Sequence, residues 1–354
     1  MKSDFPSSPE LPEADIRQFY RRQKAPYSAL LELSYACNLH CFHCYNHRQQ
    51  QEELTIEQIV RALKQLADLG CLQLMVSGGE LFCRDDWRAI LEKARELGFA
   101  LNLFTNGTLI TEDVALVLKK LGVLEVNVTL FSADANIHDK VTGVPGSHVL
   151  TLKGLAALQK AGLRTRVQCL LMKQNLAGYQ KLKTVAERYN AQCYFSVNLM
   201  PRTPVDSDVF GQRLERADIE KLVSRRKLFA ISECGTTEAR DQQEGQLVCD
   251  AGVTHLVITP YGEVSPCVYA CNGEDNLRTE SLGNIWKNSD IFKQWRETKL
   301  QSLPHCVTCR NKANCGRCRA MTLVEEGNVD SPSSWACLNA EILSASMSEN
   351  RIDE

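Results

Sequence analysis

Short apolar runs alternate with stretches of helical periodicity through the first 200 residues of the chain. Six runs have the length and apolar character of buried strands. They lie at residues 29–33, 72–76, 100–104, 124–130, 164–172 and 192–197. Such spacing is typical of a sheet whose strands are separated by longer connections rather than by tight hairpins.

The segments between these runs carry helix signals. Thr55 and Gln58 form a capping-box pattern, Ile59 and Leu63 begin an apolar face, and Gly70 closes the helix. Further helices are predicted at residues 85–97, 112–121, 149–161 and 176–189. Alternating strands and helices favour a parallel sheet with right-handed crossovers. Six units are too few for a closed eight-fold barrel, so we expect an α/β fold with a partial (βα)6 barrel.

The pattern changes along the chain and divides it into five segments. Residues 1–26 form a lead-in with one short predicted helix at 13–22, and residues 27–200 form the barrel. Residues 201–248 begin with Pro, Asp and Ser and form a linker or helical bridge, with a helix predicted at 214–229. Residues 249–338 have short strands and frequent cysteines, and residues 339–354 form a tail. We therefore expect a second, cysteine-rich domain after the barrel.

Composition narrows the class of protein. The apolar fraction is 44% and the formal net charge is −2, with 41 basic and 43 acidic side chains and no block of like charge. This balance gives no support for a nucleic-acid or membrane-surface partner. The N-terminus lacks the apolar core of a secretory signal, and no apolar run is long enough to span a membrane. We expect a cytoplasmic protein.

Sixteen cysteines are the unusual feature of the composition, and they are clustered. Thiols at short fixed spacings in an intracellular chain more often bind metals or clusters than form disulfides. Cys37, Cys41 and Cys44 follow the first strand, where the loops of a barrel form active sites. Three thiolates leave one iron of a [4Fe–4S] cluster without a protein ligand, whereas four cysteines complete one. A structural zinc or cluster knuckle is the alternative interpretation.

The Cys-x3-Cys-x2-Cys spacing after a first strand resembles the radical S-adenosylmethionine (SAM) superfamily. The resemblance implies that Cys37, Cys41 and Cys44 bind a [4Fe–4S] cluster whose open iron holds SAM. An electron from the cluster then splits SAM into methionine and a 5′-deoxyadenosyl radical, which takes hydrogen from a substrate. Gly78-Gly79-Glu80 is similar to the family's GGE element, whose backbone and carboxylate would receive the SAM ammonium.

Other SAM contacts follow from the same resemblance. His43 stands where relatives have an aromatic residue beside the adenine, and Asn106 and Ser132 end the third and fourth strands, where SAM is contacted. Thr142 occupies the position of an arginine that binds the SAM carboxylate in many relatives, so another donor is expected here. Cys83 follows the GGE element and is a candidate hydrogen donor, although a small buried side chain is the default for such a cysteine.

The later cysteines resemble a SPASM domain, which carries auxiliary iron–sulfur clusters. By this resemblance Cys306, Cys309, Cys315 and Cys337 would hold one auxiliary [4Fe–4S] cluster, and Cys249, Cys267 and Cys318 another. Relatives usually have Cys-x3-Cys where this chain has Cys315-x2-Cys318, and the second set lacks an obvious fourth ligand. Cys234 or Cys271 could supply it, or the position is open. A zinc knuckle at Cys306–Cys318 is the alternative.

The resemblance also limits the substrate. The stretches 131–134, 138–139 and 143–146 are similar to peptide-maturing members, which form crosslinks or thioethers or invert stereocentres. A peptide would bind directly or through a separate recognition protein, because the lead-in is too short for a leader-binding domain. Electrons would come from a donor such as flavodoxin or ferredoxin. The alternatives are modification of a small molecule or tetrapyrrole, and a non-catalytic iron–sulfur scaffold that carries electrons.

Overall fold

A computed structural model of the 354-residue chain shows an α/β fold. It describes residues 13–46, 51–200, 207–224, 249–271, 273–299 and 302–349. Within this part of the chain no helix is long and apolar enough to cross a membrane.

Eight strands form one sheet. They are β1 (Ser28–Glu32), β2 (Gln73–Ser77), β3 (Ala100–Thr105), β4 (Glu125–Thr129), β5 (Thr165–Leu170), β6 (Gln192–Ser196), β7 (His255–Ile258) and β8 (Val264–Ser265). Their order is β6-β5-β4-β3-β2-β1-β7-β8, and every pair except β7 with β8 is parallel. The six predicted strands are confirmed. The sheet is open, with β6 and β8 at its edges, as expected for a partial barrel.

Helices connect the strands. Those of the first 200 residues are α1 (Glu13–Gln23), α2 (Ile56–Asp68), α3 (Trp87–Glu96), α4 (Glu112–Lys120), α5 (Ala135–Thr142), α6 (Ser147–Lys160) and α7 (Tyr179–Arg188). The later ones are α8 (Ser207–Phe210), α9 (Arg216–Ser224), α10 (Leu282–Asn288), α11 (Asp290–Glu297), α12 (Pro304–Val307), α13 (Arg319–Glu326) and α14 (Ser334–Glu349). The predicted capping box is confirmed: Thr55 accepts from Gln58 N, and the Gln58 side chain bonds back. Helix α5 was not predicted.

The sheet has one face under the helices and one inner face. Leu31, Val76, Leu103, Val128 and Val167 point to the helices and belong to one hydrophobic core. Their neighbours in sequence point the other way, because successive side chains alternate across a strand. These inner-face residues include Gln73, Asn102, Asn127 and Gln168, which are wholly or partly buried. The sheet therefore has a polar inner face on an apolar support.

The sequence analysis expected short strands after residue 249 but did not locate β7 and β8. They lie in the cysteine-rich segment, yet β7 extends the barrel sheet by pairing with β1, with Ala29 opposite Leu256. His255 Nδ1 and Ser28 Oγ are 3.0 Å apart across this pair. The cysteine-rich segment is thus joined to the barrel by a continuous sheet. Of the predicted bridge at 201–248, only residues 207–224 are described, and Cys234 lies outside them.

Candidate active site

The loops after β1, β2 and β3 meet at the carboxyl edge of the sheet. Gly79 N donates to Ser34 O at 2.7 Å, and Glu80 N donates to Ala36 O at 2.9 Å. A Cβ on Gly78 would collide with Ser34 O, and one on Gly79 with Ala36 O. Only glycine permits this approach. The two glycines therefore let the loop after β2 lie directly against the backbone that leads into Cys37.

Glu80 ties the loop after β2 to the end of β3. Its side chain is 1% exposed and accepts bonds from Thr105 Oγ1 at 2.8 Å, Asn106 N at 2.7 Å and Phe82 N at 3.3 Å. Burial raises the pKa of this carboxyl to about 7, and the three hydrogen bonds oppose that rise. The carboxylate thus positions two loops. Its predicted contact with the SAM ammonium stays a prediction.

Asn106 connects β3 to the cysteine loop. Its Nδ2 donates to Asn38 Oδ1 at 2.9 Å and lies 3.9 Å from Cys37 Sγ, and its Oδ1 accepts from Thr108 N at 2.9 Å. The side chain is therefore fixed beside the first cysteine. Its predicted contact with SAM is not tested by this geometry and stays a prediction.

Helix α5 holds the middle of the cysteine loop. His40 N donates to Thr142 O at 2.8 Å, and a Cβ on Gly143 would lie 2.9 Å from His40 O. The Thr142 side chain is fully buried and bonds to Asp139 O and Ser147 Oγ. Thr142 therefore stabilises the turn between α5 and α6. The expectation that another residue donates to the SAM carboxylate stays a prediction.

His43 and Ser132 lie on the side of the site formed by β4. The His43 ring contacts the Phe131 ring edge to face, with centroids 5.0 Å apart. Ser132, the next residue, is 6% exposed and accepts from Asp134 N at 3.0 Å. Cys41 packs against the small apolar cluster that contains Phe131. His43, Cys41 and Ser132 are thus brought to one side. Cluster binding by Cys41 and the SAM contacts of His43 and Ser132 stay predictions.

The thiols of the cysteine loop influence one another. Burial raises the pKa of Cys37, and the charges of Glu80, Cys44 and Cys83 add to the rise, while a bond from Leu39 N opposes it. The charge of Cys83 therefore acts on Cys37, and the hydrogen-donor role of Cys83 stays a prediction. A loop of thiols backed by two glycines fits an iron–sulfur cluster.

The C-terminal cysteines form two groups. Burial raises the pKa of Cys315 to about 11, and the charges of Cys337, Cys306 and Cys309 contribute. These four are the four-thiol group. Burial also raises the pKa of Cys267, with contributions from Cys318, Cys249 and, last, Cys271. Cys249, Cys267 and Cys318 are the three-thiol group. Within each predicted set the thiols are thus close enough for their charges to act on one another, and cluster binding by either set stays a prediction.

Cys271 lies at the margin of the three-thiol group. Its Sγ is 3.2 Å from Ser265 Oγ, and burial raises its pKa to about 12 with a contribution from the charge of Glu263. Among the described residues, no three His, Cys, Asp or Glu side chains converge as they would around a single metal ion. The thiol-only sets suit polynuclear clusters, whose irons are spread over several positions.

Two tyrosines missed by the sequence analysis lie between the cysteine loop and the three-thiol group. Tyr45 follows Cys44, and its ring lies 5.3 Å from that of Tyr269. Tyr45 OH donates to Glu32 Oε1 at 2.9 Å. Burial raises the pKa of Tyr269, and the charges of Cys267, Cys318, Glu32 and Cys44 add to this. Its position in sequence two residues after Cys267 was the one available signal.

Comparisons with known proteins agree with this geometry. Residues 31–182 match the radical SAM superfamily, and residues 249–319 match the SPASM iron–sulfur cluster-binding domain. The chain is 26% identical to an AdoMet-dependent heme synthase of Methanosarcina barkeri, over 86% of this chain and 94% of the relative. It is 27% identical to the mycofactocin maturase MftC of Mycobacterium tuberculosis, over 90% of this chain and 84% of that relative. It is 26% identical to a PqqA peptide cyclase of Granulibacter bethesdensis, over 86% and 85%.

A solved structure shares the fold. SuiB of Streptococcus suis, bound to S-adenosylmethionine, superimposes with a TM-score of 0.69 at 18% identity. The match covers 95% of this chain and 83% of SuiB. This likeness supports the partial barrel and the cysteine-rich domain as one architecture.

Proposed function

Because this chain belongs to the radical SAM superfamily and carries a SPASM domain, we propose that it cleaves SAM to modify a ribosomally made peptide. The observation that carries the SAM site is the junction of the loops after β1, β2 and β3. There Gly79 N bonds to Ser34 O, and Asn106 Nδ2 lies 3.9 Å from Cys37 Sγ. This junction holds the cysteine loop against the two elements that the resemblance assigns to SAM.

Each thiol set has a proposed cofactor. Cys37, Cys41 and Cys44 would hold the catalytic [4Fe–4S] cluster, and the four-thiol and three-thiol groups would hold auxiliary ones. When bound, the catalytic cluster supplies the electron that splits SAM and gives the 5′-deoxyadenosyl radical. Glu80 and Asn106 position the surrounding loops. The fourth ligand of the three-thiol group is Cys271, Cys234 or an exogenous group.

The inner face of the sheet favours a peptide as substrate. On this face Gln168 Nε2 of β5 donates to Asn127 Oδ1 of β4 at 2.8 Å. Arg166 is the sole cation among the described strand residues of this face, and it pairs with Glu125 at 3.6 Å. Neutral amides suit the donors and acceptors of a peptide backbone. A tetrapyrrole with several carboxylates would need more cationic partners.

The relatives support both substrate classes. One is named a PqqA peptide cyclase and another a heme synthase, at the same 26% identity. A tetrapyrrole or small-molecule substrate is therefore the second candidate. Electron supply by flavodoxin or ferredoxin, and a reducing, cytoplasmic setting, belong to the same proposal, because thiolate ligands persist in such compartments.

Mass spectrometry of candidate precursor peptides tests the proposal that the substrate is a peptide. The anaerobic, cluster-loaded chain is incubated in D2O with SAM, a reductant and candidate precursor peptides. We expect a loss of hydrogen or a gain of deuterium in one peptide. Gln168→Leu should lower the yield of modified peptide while 5′-deoxyadenosine is still released. An unchanged peptide pool, together with consumption of a tetrapyrrole in a parallel incubation, would favour the second candidate.

A further inference from the structure

Two arginines flank Cys318 inside the cysteine-rich domain. Arg317 is 6% exposed and Arg319 is 1% exposed, and Arg319 is the first residue of α13. A guanidinium keeps its charge under all ordinary conditions. Burying such a charge costs several kcal/mol unless an anion compensates it. Each of these side chains therefore requires a negative partner.

The described part of the chain supplies no carboxylate within ion-pair distance of either arginine. Arg319 Nη1 donates to Trp295 O at 3.3 Å, and its guanidinium lies 4.6 Å from the Trp295 ring centroid. Its Nε and Nη2, and Nε of Arg317, have no hydrogen-bond partner among the described residues. Within hydrogen-bond and ion-pair distance the described residues offer both charges only neutral contacts. The Asp330 carboxylate, beyond ion-pair distance, compensates the charge of Arg319 only in part.

For Arg317, a thiol is the group within hydrogen-bond distance that is able to carry the missing charge. Arg317 Nη1 donates to Cys306 Sγ at 3.1 Å, and its Nη2 donates to Val329 O at 2.6 Å. The charge of Arg317 also lowers the pKa of Cys337, against the larger effect of burial. Arg317 thus acts on two members of the four-thiol group.

Arg319 acts on the other group. Burial lowers its pKa, whereas the charges of Asp330 and Cys249 oppose this, and Arg317 repels it. Cys249 belongs to the three-thiol group, and Cys318, between the two arginines, belongs to it as well. Arg317 is therefore bonded to a thiol of the four-thiol group. Arg319 is 1% exposed and directly follows Cys318 of the three-thiol group.

We propose that Arg317 and Arg319 are the counter-charges of the two auxiliary clusters and raise their reduction potentials. Arg317 serves the cluster of the four-thiol group, and Arg319 that of the three-thiol group. This inference rests on the proposed cluster binding by these cysteines. Charge and hydrogen bonds at the sulfurs are among the factors that set the potential of an iron–sulfur cluster. A positive charge favours the reduced cluster, because reduction adds a negative one.

Redox titrations followed by electron paramagnetic resonance test this directly. The full chain carries Cys37→Ala, Cys41→Ala and Cys44→Ala, so that only auxiliary clusters give signals. Arg317→Gln and Arg319→Gln are compared in this background with Arg310→Gln. Arg310 follows Cys309 but is exposed, so water screens its charge.

We expect Arg317→Gln to lower the potential of one cluster and Arg319→Gln that of the other. Each shift should correspond to at least a tenfold weaker reduction equilibrium, which is about 59 mV for a one-electron couple. Arg310→Gln should shift neither. Loaded variants whose potentials match that control would overturn the inference and leave the cluster assignment intact.

A variant that fails to bind its cluster requires a further comparison. If a Gln variant loses its cluster, the matching Lys variant decides, because lysine keeps the charge. A loaded Lys variant with a potential within tenfold of the parent supports the counter-charge role, and a Lys variant that also stays unloaded contradicts it. If the parent that carries Cys37→Ala, Cys41→Ala and Cys44→Ala contained no iron, that result would instead contradict the presence of the auxiliary clusters.

Discussion

The Thr105 hydroxyl lies 2.8 and 2.9 Å from the two carboxylate oxygens of Glu80. Both residues are buried, at 5% and 1% exposure, so the bond is made away from water. It joins the end of β3 to the loop after β2. Since that loop supports the cysteine loop, this contact connects the sheet to the proposed cluster site.

Loss of the Thr105 hydroxyl should weaken the whole junction. Thr105→Val leaves the Glu80 carboxylate with one donor fewer, at a cost of about 1–3 kcal/mol in the free energy of unfolding. SAM binding and cleavage should fall with it. Denaturant unfolding and equilibrium SAM binding measure the two effects. Thr105→Ser restores the hydroxyl and should behave as wild type; equal losses in both variants would point to packing instead.

A methyl group on Gly79 should displace the cysteine loop. The added Cβ would collide with Ala36 O and lie 2.8 Å from Tyr35 O, both backbone atoms that cannot yield locally. We expect Gly79→Ala to lose the iron of the catalytic cluster and SAM cleavage, as measured by iron analysis and 5′-deoxyadenosine release.

Gly283 provides the control for that change. It lies in α10, and a Cβ there would find Leu69 Cδ2 at 4.0 Å as its nearest neighbour. Gly283→Ala should keep iron and activity and favour the helix. Wild-type iron content in Gly79→Ala would mean that the close approach of the two loops is dispensable.

The free energy of unfolding should decrease as the pH is lowered, because of His138. This residue is 1% exposed, its Nδ1 accepts from Phe131 N at 3.2 Å, and burial lowers its pKa from 6.5 to about 4. Between pH 6.5 and about 4 the His138 imidazole is protonated in the unfolded chain but stays neutral in the native chain. Stability is therefore full above pH 6.5 and declines toward pH 4.

The loss can be isolated with one variant. Between pH 7.5 and 5.5 the wild type should lose about 1.4 kcal/mol more than His138→Asn, whose Oδ1 can accept from Phe131 N without titrating. Anaerobic unfolding at both pH values measures the difference. His255, whose pKa is also lowered to about 4, is present in both proteins and cancels. Parallel pH profiles would rule out His138 as the source.

The strands of the barrel were predictable because their signals are local. Residues 100–104 and 192–197 are apolar runs flanked by turn residues, and the structure has Ala100–Thr105 and Gln192–Ser196. Strand β7 was not predictable. Its partner β1 is more than 200 residues away, and a strand of four residues among cysteines and turns gives no hydrophobic pattern. Pairing across such a distance depends on the tertiary fold.

The site was predictable in its cysteines and glycines, whose spacing is encoded along the chain. The structural role of Thr105 was not predictable, since a threonine beside Asn106 and Gly107 resembles any strand end. Arg317 and Arg319 look like ordinary surface charges in sequence. Their burial arises only when α13 packs against Trp295 and the thiols, and no local pattern records that.

The release of 5′-deoxyadenosine tests the central claim most directly. The anaerobic, cluster-loaded chain is given SAM and a reductant, and the product is measured by chromatography and mass spectrometry. We predict release by the wild type, none by Cys37→Ala, Cys41→Ala or Cys44→Ala, and continued release by folded Cys315→Ala. A loaded wild type that releases none, or a Cys37→Ala variant that matches it, would contradict the account.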